Sequence, residues 1–347
     1  MMEKIKAGIV GATGYAGVEL VRLLINHPKV EIVAVSSVSF EGKKLSDVYP
    51  NLKNIFEMTL IQDDEMVSMC DIIFASLPHG LSEKLARKCV DNNVKLIDLG
   101  ADFRLDSKEE YTKWYGKNYE DEELHNNSLY CIPELHRSLY KDQPIIGNPG
   151  CYPTSITLGL APIIVNKLDV DNTIVIDSKS GVTGAGRGLS DNTHYPNTNE
   201  AFAPYKVANH RHTPEIEQNL TKLANNKKVV TFVPHLLPVN RGIVSTMYVT
   251  LAKEVSLSEI YDMYVDFYKN ERFVRVLPLG DVANLRNVKY SNYCDISLFK
   301  DEHTNRIIVV STIDNMVKGA AGQAIQNMNM MFGLKEETGL GYIPPAF

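Results

Sequence analysis

The chain has 347 residues, 44% of them hydrophobic and 22% charged, with a formal net charge of −6, the balance of an ordinary globular protein long enough for two domains with separate cores. The negative charge argues against nucleic acid or an acidic membrane surface as main partner, and no apolar run approaches the ~18 residues needed to span a bilayer. The N-terminus leads directly into a strand with no signal-peptide pattern, and five cysteines (Cys70, Cys89, Cys131, Cys151, Cys294) form an odd set with no CxxC, so a reducing cytoplasm is expected and neither a disulfide framework nor a metal site.

In chain order, "IKAGIVG" reads as a buried strand and Tyr15 to His27 as a helix with Val18, Leu20, Val21, Leu23 and Leu24 largely on one side, stopped by Pro28. "VEIVAVSS" and "DIIFASLP" (71–78) read as strands, "SEKLARKCVDNN" as an amphipathic helix and "VKLIDLGAD" (94–102) as a further strand. Such alternation predicts a doubly wound parallel sheet of Rossmann type, an α/β domain. From about Cys151 the texture changes. A helix over about 153–167 precedes a strand that runs into the glycine-rich "SGVTGAGRG", and "KVVTFVPHLLPVNRGIVSTMYVTLA" holds two or more long strands. "LSEIYDMYVDFYKN" is a helix and "RIIVVSTID" a strand, which together predict an α+β domain on a largely antiparallel or mixed sheet. The final helix, "NMVKGAAGQAIQNMNMMFGL", has small and apolar residues suited to docking on a neighbour. Its return to the first domain makes that domain 1–150 plus 315–347, with 151–314 as the second.

Gly11, Gly14 and Gly17 follow the first strand and open the first helix, with Thr13, Tyr15 and Ala16 between them. Glycines there permit a tight turn and let backbone N–H groups approach a pyrophosphate at a helix N-terminus. The spacing is GxxGxxG and not GxGxxG, so the position after strand one carries the assignment. An NAD site normally places an acid at the end of the second strand. Here that strand ends in Ser36, Ser37 and Ser39 with no acid until Glu41, and Lys43 and Lys44 follow, which favours the 2′-phosphate of NADP.

"GNPGCYPTS" sets Cys151 between a turn and a proline-started helix. One reading is a small buried residue at a bend. The other is a thiol at a helix N-terminus, where the dipole raises the thiolate fraction; beside a nicotinamide cofactor it would work through a thioester and a thiohemiacetal linked by hydride transfer. In "NHRHTPEI", Thr213-Pro214-Glu215 predicts a helix start capped by the Thr213 hydroxyl. His210 and His212 then lie in an extended segment, pointing the same way, with Arg211 opposite. Imidazole is a natural proton shuttle and arginine a fork for phosphate or carboxylate. No third ligand accompanies the histidines, which argues against zinc. "KSGVTGAGRG" (179–188), with Arg187, and "LGADFRL" (99–105), with Arg104, have the pattern of anion cradles. "SLPHG" (76–80) ends a strand on the cofactor edge, with His79 as a loop residue.

Together "GATGYAGVELVRLL", "SLPHG", "DLGADFRL", "IPELHR", "GNPGCYPTS", "SGVTGAGR", "HRHTPEI" and "DNMVKGAAGQAIQNMN" resemble the N-acetyl-γ-glutamyl-phosphate reductase family of arginine biosynthesis, from residue 7 to the C-terminus. Gly100 stands where that family commonly has serine. The resemblance implies the fold of aspartate-semialdehyde and glyceraldehyde-3-phosphate dehydrogenases and the NADPH-dependent reduction of a small-molecule acyl phosphate. It implies Cys151 as nucleophile and His210 as base, with Arg104, Glu134, Asn148, Arg211 and His212 as substrate contacts. It also implies cofactor contacts from Pro78, Ser180, Gly181, Gly184 and Asn315, and a homodimer or homotetramer. A sibling enzyme acting on aspartyl phosphate or an aminoadipyl phosphate is the near alternative, and a catalytically silent NADP-binding protein the distant one.

Overall fold

The computed structural model describes residues 4–170 and 172–346. The chain divides into two compact units: one runs to Pro149 and takes back Ala320–Gly341, and the other comprises Gly150–Gly319 and Tyr342–Phe347.

The first unit holds seven strands: β1 (Ile5–Val10), β2 (Val30–Ser36), β3 (Leu60–Ile61), β4 (Ile72–Ala75), β5 (Lys95–Asp98), β6 (Ser128–Tyr130) and β7 (Ile145–Gly147). They form one sheet in the order β3-β2-β1-β4-β5-β7-β6, and every neighbouring pair is parallel. Ala7, Ile9 and Val10 of β1 and all four residues of β4 are fully buried, as expected of strands covered on both faces. The chain leaves β1 toward β2 and β3, then returns to β4 on the other side. That reversal opens a crevice beyond the carboxyl ends of β1 and β4, the usual ligand position in such sheets.

The helix Tyr15–Leu24 ends three residues before the expected His27, because the His27 N–H turns back to the Leu24 carbonyl (3.0 Å) ahead of Pro28. The last helix departs further from expectation. Val317–Ala321 forms a π-helical turn, and regular α-helix covers only Gly322–Met331. Amides as well as apolar residues dock it. Asn327 Nδ2 donates to the Cys131 carbonyl (3.1 Å) and to Asn148 Oδ1 (3.1 Å), Gln326 donates to Glu134 Oε1 (2.9 Å), and Asn329 Oδ1 meets His27 Nε2 (3.1 Å). Amide hydrogens donated in this way favour one docking register.

The second unit holds β8 (Val175–Gly181), β9 (Ala203–Pro204), β10 (Thr231–Leu237), β11 (Ile243–Thr250), β12 (Val274–Val276), β13 (Cys294–Asp301) and β14 (Arg306–Ile313). Their order is β12-β13-β14-β11-β8-β10-β9. The β8–β10 and β12–β13 pairs are parallel and the rest antiparallel, so the sheet is mixed. The helix Cys151–Val165 lies against β11 and β14, with every residue from Tyr152 to Ile164 buried. Its contact with the sheet contains a run of buried hydroxyls. Ser155 Oγ is hydrogen-bonded with Ser245 Oγ (3.1 Å) and Ser311 Oγ (3.1 Å), and Ser178 Oγ with Ser245 Oγ (2.8 Å). Such a ladder is satisfied in one rotation of the helix, which also sets the direction of Cys151 one turn earlier.

Candidate active site

Cys151 is the first residue of its helix, after Gly150 in an extended conformation (φ −69°, ψ 155°). Pro153 stands in the first turn, where its missing N–H costs nothing. The Thr154 N–H (3.0 Å) and hydroxyl (2.9 Å) both donate to the Gly150 carbonyl and close that turn. The Gly150 N–H donates to Glu215 Oε1 (2.8 Å), a fully buried carboxylate. On another side, a Cβ on Gly319 would lie 2.7 Å from Cys151 Cβ, so only glycine lets the π-turn pass there. Among the five cysteines Cys151 alone is partly exposed. Burial pushes the Cys70 and Cys89 thiols up to about 12, which leaves them inert.

His210 and His212 lie on a tight turn and not on an extended segment. The Thr213 N–H donates to the His210 carbonyl (2.9 Å), and the His212 N–H donates to His210 Nδ1 (3.1 Å). The two rings still meet, centroids 4.9 Å apart, through the turn and not through strand alternation. The helix itself is Thr213–Ala224 with His212 at the N-cap and no side-chain cap, so Thr213 does not cap it. His210 is buried, and its pKa is lowered to about 4 by burial first and then by the cations Lys206 and Arg211; the ring is neutral at pH 7. Its Nε2 faces the Tyr205 hydroxyl (3.4 Å), which lies 3.2 Å from the Tyr152 hydroxyl. Burial pushes Tyr205 up to about 12, and burial with the Tyr205 hydroxyl beside it pushes Tyr152 further. Arg211 and His212 are half-exposed.

In the first unit, Gly11 has φ +75°, and a Cβ there would lie 2.4 Å from the Ser76 carbonyl after β4. A Cβ on Gly17 would lie 2.3 Å from the Gly11 carbonyl. The helix that follows starts at Gly14 with no side-chain cap and no acid in its first turn, so its N-terminus is left for an anion. These residues fit a dinucleotide pyrophosphate. Thr13 and Ser37 share a hydroxyl bond (2.7 Å), Tyr15 and Ala16 are half-buried at the helix start, and Ser39 and Pro78 are exposed. The expectation for the second strand needs one correction. The Ser36 hydroxyl, fully buried, donates to Asp63, so the acid missing along β2 comes from beyond β3. Asp63 lies with Ser37, Glu41 and Gln62 around a cavity of about 330 Å³.

The remaining expected contacts fall into two groups. Arg104 is buried, its Nε donating to the Asn148 carbonyl (2.8 Å) and its Nη2 to the Leu99 carbonyl (2.8 Å). Asn148 is fully buried and donates to the Ala320 carbonyl (3.1 Å), while Glu134 accepts from Gln326. Arg104 and Asn148 thus shape the end of the first unit's chain, and the open cradle expected around Arg104 is filled by carbonyls. The "KSGVTGAGRG" cradle is similarly reduced. The N–H groups of Gly181, Val182 and Thr183 donate to the carbonyls of Gly242, Val239 and Asn240. Asn315 holds this loop, donating to Thr183 Oγ1 (3.0 Å) and accepting from the Gly242 N–H (2.7 Å), with Gly184 and Ser180 packed beside it. Sequence reasoning passed over Tyr152, Tyr205, Gly319 and Asp63, and read Glu215 only as part of a helix start. Adjacency to Cys151 was a signal for Tyr152; the others had none.

Among the described residues, no helix is long and apolar enough to cross a membrane, and no group of three or more His, Cys, Asp or Glu could hold a metal ion. Residues 6–143 match the family model for the semialdehyde dehydrogenase NAD-binding domain, and residues 151–315 match that for the semialdehyde dehydrogenase dimerisation domain. The fold is that of aspartate semialdehyde dehydrogenase II from Vibrio cholerae, solved with ASA (TM-score 0.73, 18% identity, 95% of this chain and 99% of that one). The aspartate semialdehyde dehydrogenase from Candida albicans, solved with NADP, is similar (TM-score 0.71, 16% identity, 95% and 99% covered). The two domain models define a semialdehyde dehydrogenase. The N-acetyl-γ-glutamyl-phosphate reductase of Brachyspira hyodysenteriae is 57% identical over 99% of this chain and all of its own length, and that of Clostridium beijerinckii 56% identical with the same coverage. The chain belongs to the N-acetyl-γ-glutamyl-phosphate reductase family.

Proposed function

We propose that this chain reduces N-acetyl-γ-glutamyl phosphate to N-acetylglutamate semialdehyde and phosphate with NADPH, and that Cys151 is its nucleophile. The observation that carries the assignment is the partly exposed thiol at the first residue of a buried helix, in one unit with a buried, neutral His210. The Cys151 thiolate adds to the acyl carbon and expels phosphate, leaving a thioester. Bound NADPH supplies the hydride that brings the thioester carbon to the aldehyde level. His210 attends the oxygen of the reacting carbonyl. Arg211 and His212, half-exposed beside it, bind the phosphate or the substrate carboxylate. The loop Gly11 to Gly17 receives the pyrophosphate, and Ser37, Ser39 and Lys43 face the 2′-phosphate. The first unit thus takes the cofactor and the second the acyl chemistry, in a cytoplasmic homodimer or homotetramer.

A panel of acyl phosphates assayed with NADPH and with NADH tests the reading. N-acetylglutamyl phosphate with NADPH is expected to give the highest kcat/KM. A homologue one methylene longer is discriminated by only ~1–3 kcal/mol, about 10–200-fold. A preference for aspartyl phosphate would move the chain to the sibling activity. Iodoacetamide should inactivate the enzyme, and substrate should protect it; activity that survives complete alkylation of Cys151 would remove the nucleophile.

A further inference from the structure

We propose that the π-helical turn Val317–Ala321 aims the sulfur of Cys151, with Gly319 and Asp314 as its positioning residues. The inference rests on the reading above that Cys151 is the nucleophile. Gly319 is buried, and a Cβ added to it would lie 2.7 Å from Cys151 Cβ, 3.2 Å from Cys151 Cα and 3.3 Å from Ile313 Cδ1. The bare backbone of Gly319 is therefore a wall against which the cysteine rests. The register of the turn brings a glycine to this point. The Gly319 N–H donates to the Asp314 carbonyl five residues back (2.9 Å), where a regular α-helix would use the N–H of Lys318. In that register Lys318 would take the place of Gly319, and Gly319 would move about 100° round the axis. Lys318 is instead fully buried, its ammonium 5.6 Å from the centre of the Phe273 ring.

The Asp314 side chain holds this register. Its Oδ1 accepts from the N–H groups of Met316 (2.8 Å) and Val317 (3.1 Å), where the turn begins. Its Oδ2 accepts from the Tyr290 N–H (2.7 Å), and Arg241 pairs with Oδ1 (3.4 Å) while lying over the Tyr290 ring (4.8 Å). Asp314 is fully buried, and a buried carboxylate keeps its place only where donors and a cation meet it in this way. One side chain thus ties the turn to the β10–β11 connection and to the stretch before β13, all within the second unit. A wall fixed so firmly limits the directions the sulfur can take, and a reacting atom misplaced by ~1 Å can cost about 10²-fold in rate. It also keeps the sulfur at the start of its helix, where the dipole favours thiolate.

Steady-state kinetics and the pH profile of Cys151 alkylation by iodoacetamide, both on the full chain, test this. Gly319→Ala should lower kcat about 10²-fold with KM within about threefold of wild type. The midpoint of its alkylation profile should move to higher pH as the sulfur leaves the helix end. Asp314→Ala should behave alike, whereas Asp314→Asn, which keeps an acceptor for Met316 and Val317, should recover kcat to within about tenfold of wild type. A Gly319→Ala enzyme with wild-type kcat overturns the proposal. So does a lowered kcat with an unchanged alkylation midpoint, the mark of a general loss of structure, or an Asp314→Asn enzyme no better than Asp314→Ala. Should the variants not fold, amide hydrogen exchange on the unaltered protein decides. The N–H groups of Met316, Val317 and Gly319 should be strongly protected, and rapid exchange there would mean that the turn holds nothing in place. If the wild-type enzyme reduces no acyl phosphate, the functional reading fails, while the alkylation midpoints still decide whether the turn aims the sulfur.

Discussion

Two helices in this molecule begin alike and end up in different chemistry. Both Tyr15–Leu24 and Cys151–Val165 follow an extended glycine (φ −74°, ψ 161° at Gly14; φ −69°, ψ 155° at Gly150), and neither has a side-chain cap or an acid in its first turn. The first is bordered by backbone that only glycine allows, at Gly11 and Gly17. Its positive end stays open to an anion from outside. The second meets an anion of the protein's own, the Glu215 carboxylate on the Gly150 N–H. That bond holds the backbone next to the sulfur, and its charge consumes part of the potential that would otherwise favour a thiolate. On the proposed function, one helix end serves binding and the other reactivity.

The comparison can be broken most severely at Cys151. Cys151→Ala should lower kcat by at least about 10⁴-fold, yet leave NADPH binding, read by fluorescence titration, as in wild type. Lost binding would mean that the two helix ends are not independent. Gly17→Ala should do the reverse. Its Cβ would meet backbone atoms of Gly11 and Ala12 at 2.3 and 2.7 Å, so NADPH binding should weaken by more than about tenfold. The burst of phosphate released on Cys151 without cofactor should persist. Glu215→Gln keeps an acceptor for Gly150 and removes the charge, and iodoacetamide should then alkylate Cys151 at pH 7 about two- to tenfold faster. An unchanged rate would reduce Glu215 to a brace.

The smallest effects concern pH, and the two units should respond in opposite senses. In the first, burial and the neighbouring Asp102 raise Asp98 to about 6. The fold prefers the protonated acid, so this contribution is complete at low pH and is lost as pH rises through 6. In the second, His210 is lowered to about 4 from an ordinary 6.5. Its contribution is complete above 6.5 and is lost as pH falls toward 4. Melting temperatures between pH 4 and 8 should fall less on the alkaline side in Asp98→Asn and less on the acid side in His210→Gln. Parallel curves for all three proteins would contradict both assignments.

Most of the architecture was legible because the apolar runs of β1, β2, β4 and β5 and the long strands β10, β11 and β14 announce themselves by period and length. β13 was not, since Asp295 and Ser297 are buried within it and interrupt the pattern that burial normally writes. Asp295 is buried there against Arg275 (2.6 Å), a partner twenty residues earlier. At the site, turn residues singled out Cys151, and the density of imidazole singled out His210 and His212. The arrangement of the histidines was misjudged because an extended segment and a tight turn can both precede a proline-started helix. Asp63 and Glu215 reach Ser36 and Gly150 across 27 and 65 residues, a separation at which local spacing carries no information.

The docking of Gly322–Met331 on the first unit has a consequence for biogenesis. A ribosome delivers the chain from its amino end, but Cys131, Glu134, Asn148 and His27 wait for partners at 326 to 329, delivered only after all of Gly150–Gly319. Gly150–Gly319, the bulk of the second unit, emerges before the first can be finished. The first unit's sheet is therefore translated long before the helix that docks on it, and until then it must be kept from wrong associations.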